Sequence, residues 1–242
     1  MKLLIIRHGD PDYSIDSLTP TGWKEAELLS HRLKALDVKA FYVSPMGRAK
    51  DTASFTLQAM GRTAEEKDWL HEFGPHMIKP GESKATPLWD WLPAQWTAEP
   101  RFFDADRWFL PDCYAELGVE AEYRRVTGGL DQLLAQHGYV RDGKLYRAEA
   151  PNEDLIVLFC HFGLTCVLLS HLLHISPVLL WHGTCAPPTS VTTLTTEERR
   201  PGVVHWRMNG FGDISHLYVA DQPPAFAARF CECYTNEDQR HD

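Results

Sequence analysis

Leu3-Leu4-Ile5-Ile6-Arg7-His8-Gly9, near the start of the chain, and Leu155-Ile156-Val157-Leu158-Phe159-Cys160-His161-Phe162-Gly163, far along it, share one plan: an apolar run that closes on a histidine. Both runs have the continuous aliphatic character of strands buried on both faces, which is the mark of a parallel sheet. In an open α/β sheet, ligands bind beyond the carboxyl ends of the strands, so two such strands would bring both imidazoles to one crevice.

The neighbouring segments support this reading. Thr19-Pro20 gives an N-cap followed by a proline at the first helical position, and Ala26, Leu29, Leu33 and Leu36 follow at helical spacing. Ala40-Phe41-Tyr42-Val43 reads as a strand. Ser44-Pro45 then repeats the capping pattern ahead of a helix carrying Ala49, Ala53 and Leu57, which places Arg48 in its first turn. A third helix is expected from about Leu164 to His174, and Ser190 to Leu194 and Val203 to Met208 read as further strands. The expected architecture is α/β: a three-layer, doubly wound, mainly parallel sheet with helices on both faces.

Trp89, Trp91, Trp96, Phe102, Phe103, Trp108 and Phe109 crowd a stretch between these units. A linker would not carry so many large aromatics, so residues 75 to 150 are expected as an insertion forming a lid or cap over the strand ends, with a helix from about Ala115 to His137. The expected organisation is one domain over residues 1–220 and a polar C-terminal tail over 221–242.

The 242 residues suffice for one full core, and a net charge of −9 argues against nucleic-acid binding, because the overall field would repel a polyanion. The apolar run after Met1-Lys2 is too short for a signal-peptide core or a membrane span, and the six cysteines lack CxxC spacing. A cytoplasmic location with reduced thiols is the expectation. Nothing in the sequence indicates an oligomer. His171 with His174, and Cys231 with Cys233, lack the second pair that a closed zinc site needs, so no metal or cofactor is expected.

Arg7, His8, Arg48 and His161, if the strand ends converge, are a set suited to a phosphoryl group. Planar guanidiniums match oxygens that share a negative charge, and a neutral imidazole can accept the phosphoryl group on one ring nitrogen while a hydrogen bond holds the other. Arg7, Arg48 and a charged His161 would each disfavour protonation of His8. A departing alkoxide also needs a proton, and Glu72, between aromatics in Trp69-Leu70-His71-Glu72-Phe73-Gly74, is the expected donor, with Glu82 and Asp90 as substitutes.

Arg7-His8-Gly9, Leu18-Thr19-Pro20-Thr21-Gly22, Ser44-Pro45-Met46-Gly47-Arg48-Ala49 with Thr52-Ala53, Leu70-His71-Glu72 and His161, in this order, resemble the histidine phosphatase superfamily in its phosphoglycerate mutase-like branch. The resemblance spans Met1 to about Tyr218. It implies a phosphohistidine intermediate on His8, phosphate contacts from Arg7, Arg48 and His161, and Glu72 as proton donor.

The sequence departs from that branch in three places. His161-Phe162-Gly163 stands where His-Gly-Gly is usual, the loop from His8 to Leu18 is shorter than in the mutases, and no Arg-His-Tyr-Gly follows Glu72. The missing mutase grips favour hydrolysis of a small phosphomonoester, and the aromatic insertion suits a ring-bearing or apolar leaving group. Two alternatives stand beside this expectation: a phosphoglycerate mutase, and a phospholigand-binding regulatory protein with weak catalysis, for which Phe162 is the motivating feature.

Overall fold

The computed structural model describes residues 1–227 and 229–239. Eight strands build the central sheet: β1 (Lys2–Arg7), β2 (Ala40–Val43), β3 (Glu65–Glu66), β4 (Tyr139–Asp142), β5 (Leu145–Ala148), β6 (Leu155–Cys160), β7 (Val191–Arg200) and β8 (Val203–Asp213). Their spatial order is β3-β2-β6-β1-β7-β8-β5-β4. The first four are parallel neighbours, as the aliphatic runs predict. From β7 onward the pairings are antiparallel. The principal helices are α1 (Pro20–Leu33), α2 (Gly47–Met60), α3 (Val119–Gln136), α4 (Phe162–Leu173), α5 (Pro177–Gly183) and α6 (Ser215–Val219).

Alternation along β1 divides the core in two. Leu4 and Ile6 join Val157, Phe159, Phe41 and Val43 against Leu29 and Leu33 of α1 and Ala49 and Ala53 of α2. Leu3 and Ile5 join Ile156 and Leu158 on the opposite face, against Val126, Leu130 and Leu134 of α3 and Val167 and Leu168 of α4. With both faces covered, the aliphatic runs need no polar alternation. Thr19 caps α1 as expected, its Oγ1 accepting from Gly22 N–H at 3.1 Å. Gly22 itself permits a close pass of the backbone, since a Cβ there would strike Asp10 O.

Two expectations are corrected. Ser44 does not cap α2; the helix begins at Gly47, so the cap position falls to Met46, with no side-chain hydrogen bond, and Ser44 lies two residues ahead of it. The span from 75 to 150 also divides: α3 covers one face of the main sheet, and β4 and β5 extend that sheet's edge. Only the earlier part stands apart, beginning with a small hairpin of residues 76–78 and 85–87. Its aromatic residues bury Phe73, Trp91, Phe102, Trp108 and Tyr114 against Trp181 of α5, with Trp108 and Trp181 edge to face at 5.5 Å. Aromatic pairs in that geometry contribute about 0.5–1.5 kcal/mol beyond the area they bury. No helix among the described residues is long and apolar enough to cross a membrane.

Candidate active site

The register between β1 and β6 pairs Arg7 with Cys160, so the next residue on each strand, His8 and His161, emerges at the same level. Their buried rings lie 5.1 Å apart between centroids, tilted by 56°. His8 N–H donates to Cys160 O at 2.9 Å, and Ser44 N–H donates to Phe159 O at 2.9 Å. Three adjacent parallel strand ends thereby carry the histidines and Ser44 as one unit.

His8 Nδ1 lies 2.7 Å from Gly9 O, and because a carbonyl can only accept, the ring hydrogen sits on Nδ1 and the lone pair on Nε2. Burial pushes the His8 pKa well below its ordinary value, and the charges of Arg7 and Arg48 push the same way. Imidazole Nε2 is therefore free to act as a base or nucleophile at neutral pH. His161 is likewise held well below its ordinary value, first by burial and then by His8, Arg48 and Arg7. Burial thus favours its neutral form, whereas the sequence reading took it as a charged neighbour of His8. Its Nε2 is 2.8 Å from Ser44 Oγ. Ser44 Oγ also accepts from Met46 N–H at 3.3 Å, and its hydroxyl has a hydrogen to give and a second lone pair to offer His161 Nε2. When the hydroxyl donates, His161 Nδ1 carries the ring hydrogen.

Arg7 gives one Nη1 hydrogen bond to Ala186 O at 2.7 Å and another to Ala227 O at 3.1 Å, in the C-terminal tail. Arg48 pairs with Asp16 Oδ1 at 2.5 Å, while the other carboxylate oxygen of Asp16 accepts from Gly47 N–H at 2.7 Å. An arginine in the first turn of a helix opposes the helix dipole, and Asp16 supplies the compensating anion. Among the described residues, Arg7 Nε and Arg48 Nε are buried donors, and His161 Nδ1 a buried ring nitrogen, with no hydrogen-bond partner. Native structures rarely leave such groups unmet, and two guanidinium donors beside an imidazole suit an oxygen-rich anion.

Glu72 is anchored at the amino terminus of α4. Its Oε1 accepts from Phe73 N–H at 2.8 Å and Leu164 N–H at 2.9 Å, and Oε2 takes only a long contact of 3.4 Å from Gly163 N–H. Burial raises its pKa, against the pull of those backbone donors and of Arg48. Oε2 is thus the oxygen left to handle a proton. Of the substitutes, Glu82 is occupied by Gln95 Nε2 at 3.3 Å. Phe162 opens α4 and turns into the core at 1% exposure. The left-handed backbone that a glycine would have favoured is not needed, since Asp16, His174, Thr189 and Asp221 are the positive-φ non-glycine residues among those described.

The family model described as histidine phosphatase superfamily (branch 1) matches residues 3–209. The chain belongs to the histidine phosphatase superfamily. A 2,3-bisphosphoglycerate-dependent phosphoglycerate mutase of Thermoplasma acidophilum is 33% identical over 85 residues, covering 31% of this chain and 42% of that relative. Among solved structures, a phosphoserine phosphatase mutant from Entamoeba histolytica in complex with phosphoserine shares the fold. Its TM-score is 0.60 at 19% identity, over 89% of this chain and 98% of that one. A mycobacterial glucosyl-3-phosphoglycerate phosphatase gives 0.57 at 19% identity, over 87% and 98%.

In this histidine phosphatase superfamily chain, all five residues expected from sequence gather at the strand ends. Four further contributors were not foreseen. The capping pattern marks Ser44 only as a helix start, whereas its place directly after the β2 strand end is the signal that puts it in the site. Asp16 on Arg48 and the tail carbonyl on Arg7 depend on returning loops that no periodicity marks. Glu25 is wholly buried in α1, accepting from Asp10 N–H at 3.1 Å and Ala225 N–H at 2.9 Å, and so pins both the loop after Gly9 and the tail.

Proposed function

We propose that the chain hydrolyses a small phosphorylated metabolite, a phosphomonoester, through a phosphohistidine on His8, in the cytosol. The observation that carries this reading is the His8 tautomer: Nδ1–H is committed to Gly9 O, which leaves the lone pair on Nε2, while Arg7 Nε and Arg48 Nε are buried without partners. In the first step Nε2 attacks phosphorus as the bond to the ester oxygen breaks, and Glu72 gives its proton to the departing alkoxide. Arg7, Arg48 and His161 Nδ1–H hold the phosphoryl oxygens in place as their charge redistributes. In the second step a water oxygen attacks phosphorus, the bond to Nε2 breaks, and Glu72 carboxylate takes the water proton. Every proton and electron pair is accounted for by these residues and water.

The partial match to a phosphoglycerate mutase supports a second reading, transfer of the phosphoryl group back to the same metabolite rather than to water. With 3-phosphoglycerate as substrate, release of inorganic phosphate faster than isomerisation supports the hydrolase, and the reverse supports the mutase. His8→Ala is the test common to both. Its hydrolysis of p-nitrophenyl phosphate should be abolished with the fold intact by circular dichroism, and turnover at the wild-type rate would refute the nucleophile assignment.

A further inference from the structure

Trp89 follows the small hairpin of residues 76–78 and 85–87, and its indole ring meets Phe162 edge to face at 5.6 Å. The ring is half-buried, yet its Nε1–H is fully buried and has no hydrogen-bond partner among the described residues. That N–H lies over the first turn of α4: Trp89 Nε1 and Glu72 Oε1 both come closer than 3.0 Å to the point where a Cβ on Gly163 would sit. Bulk absent at Gly163 is thus replaced from outside by Trp89, which Phe162 supports from below. Trp108 and Trp206 also bury an indole N–H without a partner, but both are wholly buried core residues; Trp89 differs in that its N–H lies beside the Glu72 carboxylate at the start of α4.

Resting on the hydrolase reading, we propose that Trp89 is a specificity-determining residue: its indole N–H donates to an oxygen of the leaving group, one or two atoms beyond the ester oxygen. Phosphoryl oxygens face Arg7, Arg48 and His161, whereas Trp89 stands beside Glu72, on the side from which the alkoxide is protonated and departs. Donation to the leaving group requires the half-buried ring to turn its N–H out of that buried position when a substrate is seated. The preferred substrates are therefore phosphomonoesters of alcohols that bear a hydroxyl or carboxylate close to the ester carbon, while the indole face covers the carbon skeleton.

The test compares glycerol phosphate with n-propyl phosphate, which share a three-carbon skeleton and differ in the hydroxyls. The wild type should favour glycerol phosphate in kcat/KM, and Trp89→Phe should lose about tenfold on glycerol phosphate while n-propyl phosphate changes less than about twofold. An equal fall on both substrates would mean that Trp89 only shapes the fold, and no change on either would mean that it does not touch the leaving group. Both outcomes overturn the proposal. Failure of the hydrolase reading is separately visible, as absence of any difference between wild type and His8→Ala.

Discussion

Ser44→Ala removes one oxygen that is wholly buried between two strand ends, and its consequence can be worked from the geometry. Ser44 Oγ lies 2.8 Å from His161 Nε2, and burial favours the neutral form of His161. The role proposed for His161 Nδ1–H requires the serine hydrogen to point at Nε2, and in that arrangement Ser44 selects which ring nitrogen carries the imidazole proton. Without it, Nε2 is left buried and unpaired, and nothing any longer holds the ring hydrogen on Nδ1, so the other tautomer becomes accessible. A lone pair would then face the phosphoryl oxygens in place of a donor. Losing a partner for a buried polar group costs about 1–3 kcal/mol, and a loss of that size expressed in the transition state lowers kcat/KM by roughly tenfold to a hundredfold. Steady-state hydrolysis of p-nitrophenyl phosphate measures this directly, with Ser44→Thr restoring the hydroxyl. If Ser44→Ala keeps kcat/KM within about twofold of wild type, the tautomer argument is wrong.

The acid limb of the kcat/KM profile should fall well below pH 6.5, because burial and the two arginines keep His8 unprotonated there. Titration at the ordinary histidine value would contradict this. The same depression has a consequence for stability: unfolded histidine takes up a proton below pH 6.5 while buried His8 and His161 do not. Unfolding free energy, followed by urea denaturation, should therefore decline as pH drops through that region. Glu72→Gln should slow phosphoryl transfer by about a hundredfold with alkyl phosphates and much less with p-nitrophenyl phosphate, whose leaving group needs no proton. Equal losses on both would remove Glu72 from the role of acid.

Much of the molecule was already written in its local patterns. The aliphatic runs before His8 and His161 demand burial on both faces, and this forces a parallel core with helices above and below. Thr19-Pro20 starts a helix wherever it meets the right periodicity, and it does so here. The antiparallel half of the sheet is less legible, because β4 and β5 are only four residues each and lie in a stretch dominated by the aromatics of the insertion.

Residue type and order alone determined that two histidines, two arginines and an acid would be available at the ends of parallel strands. Only tertiary structure decided their states. The His8 tautomer is set by a carbonyl one residue away, His161 Nε2 is engaged by a serine from another strand, and the depth of burial favours the neutral form of both rings. Asp16 on Arg48, the tail carbonyl on Arg7 and Trp89 over Gly163 are contacts between segments distant in sequence. Such contacts follow from how loops return across the sheet, where no repeating pattern of hydrophobicity records the path.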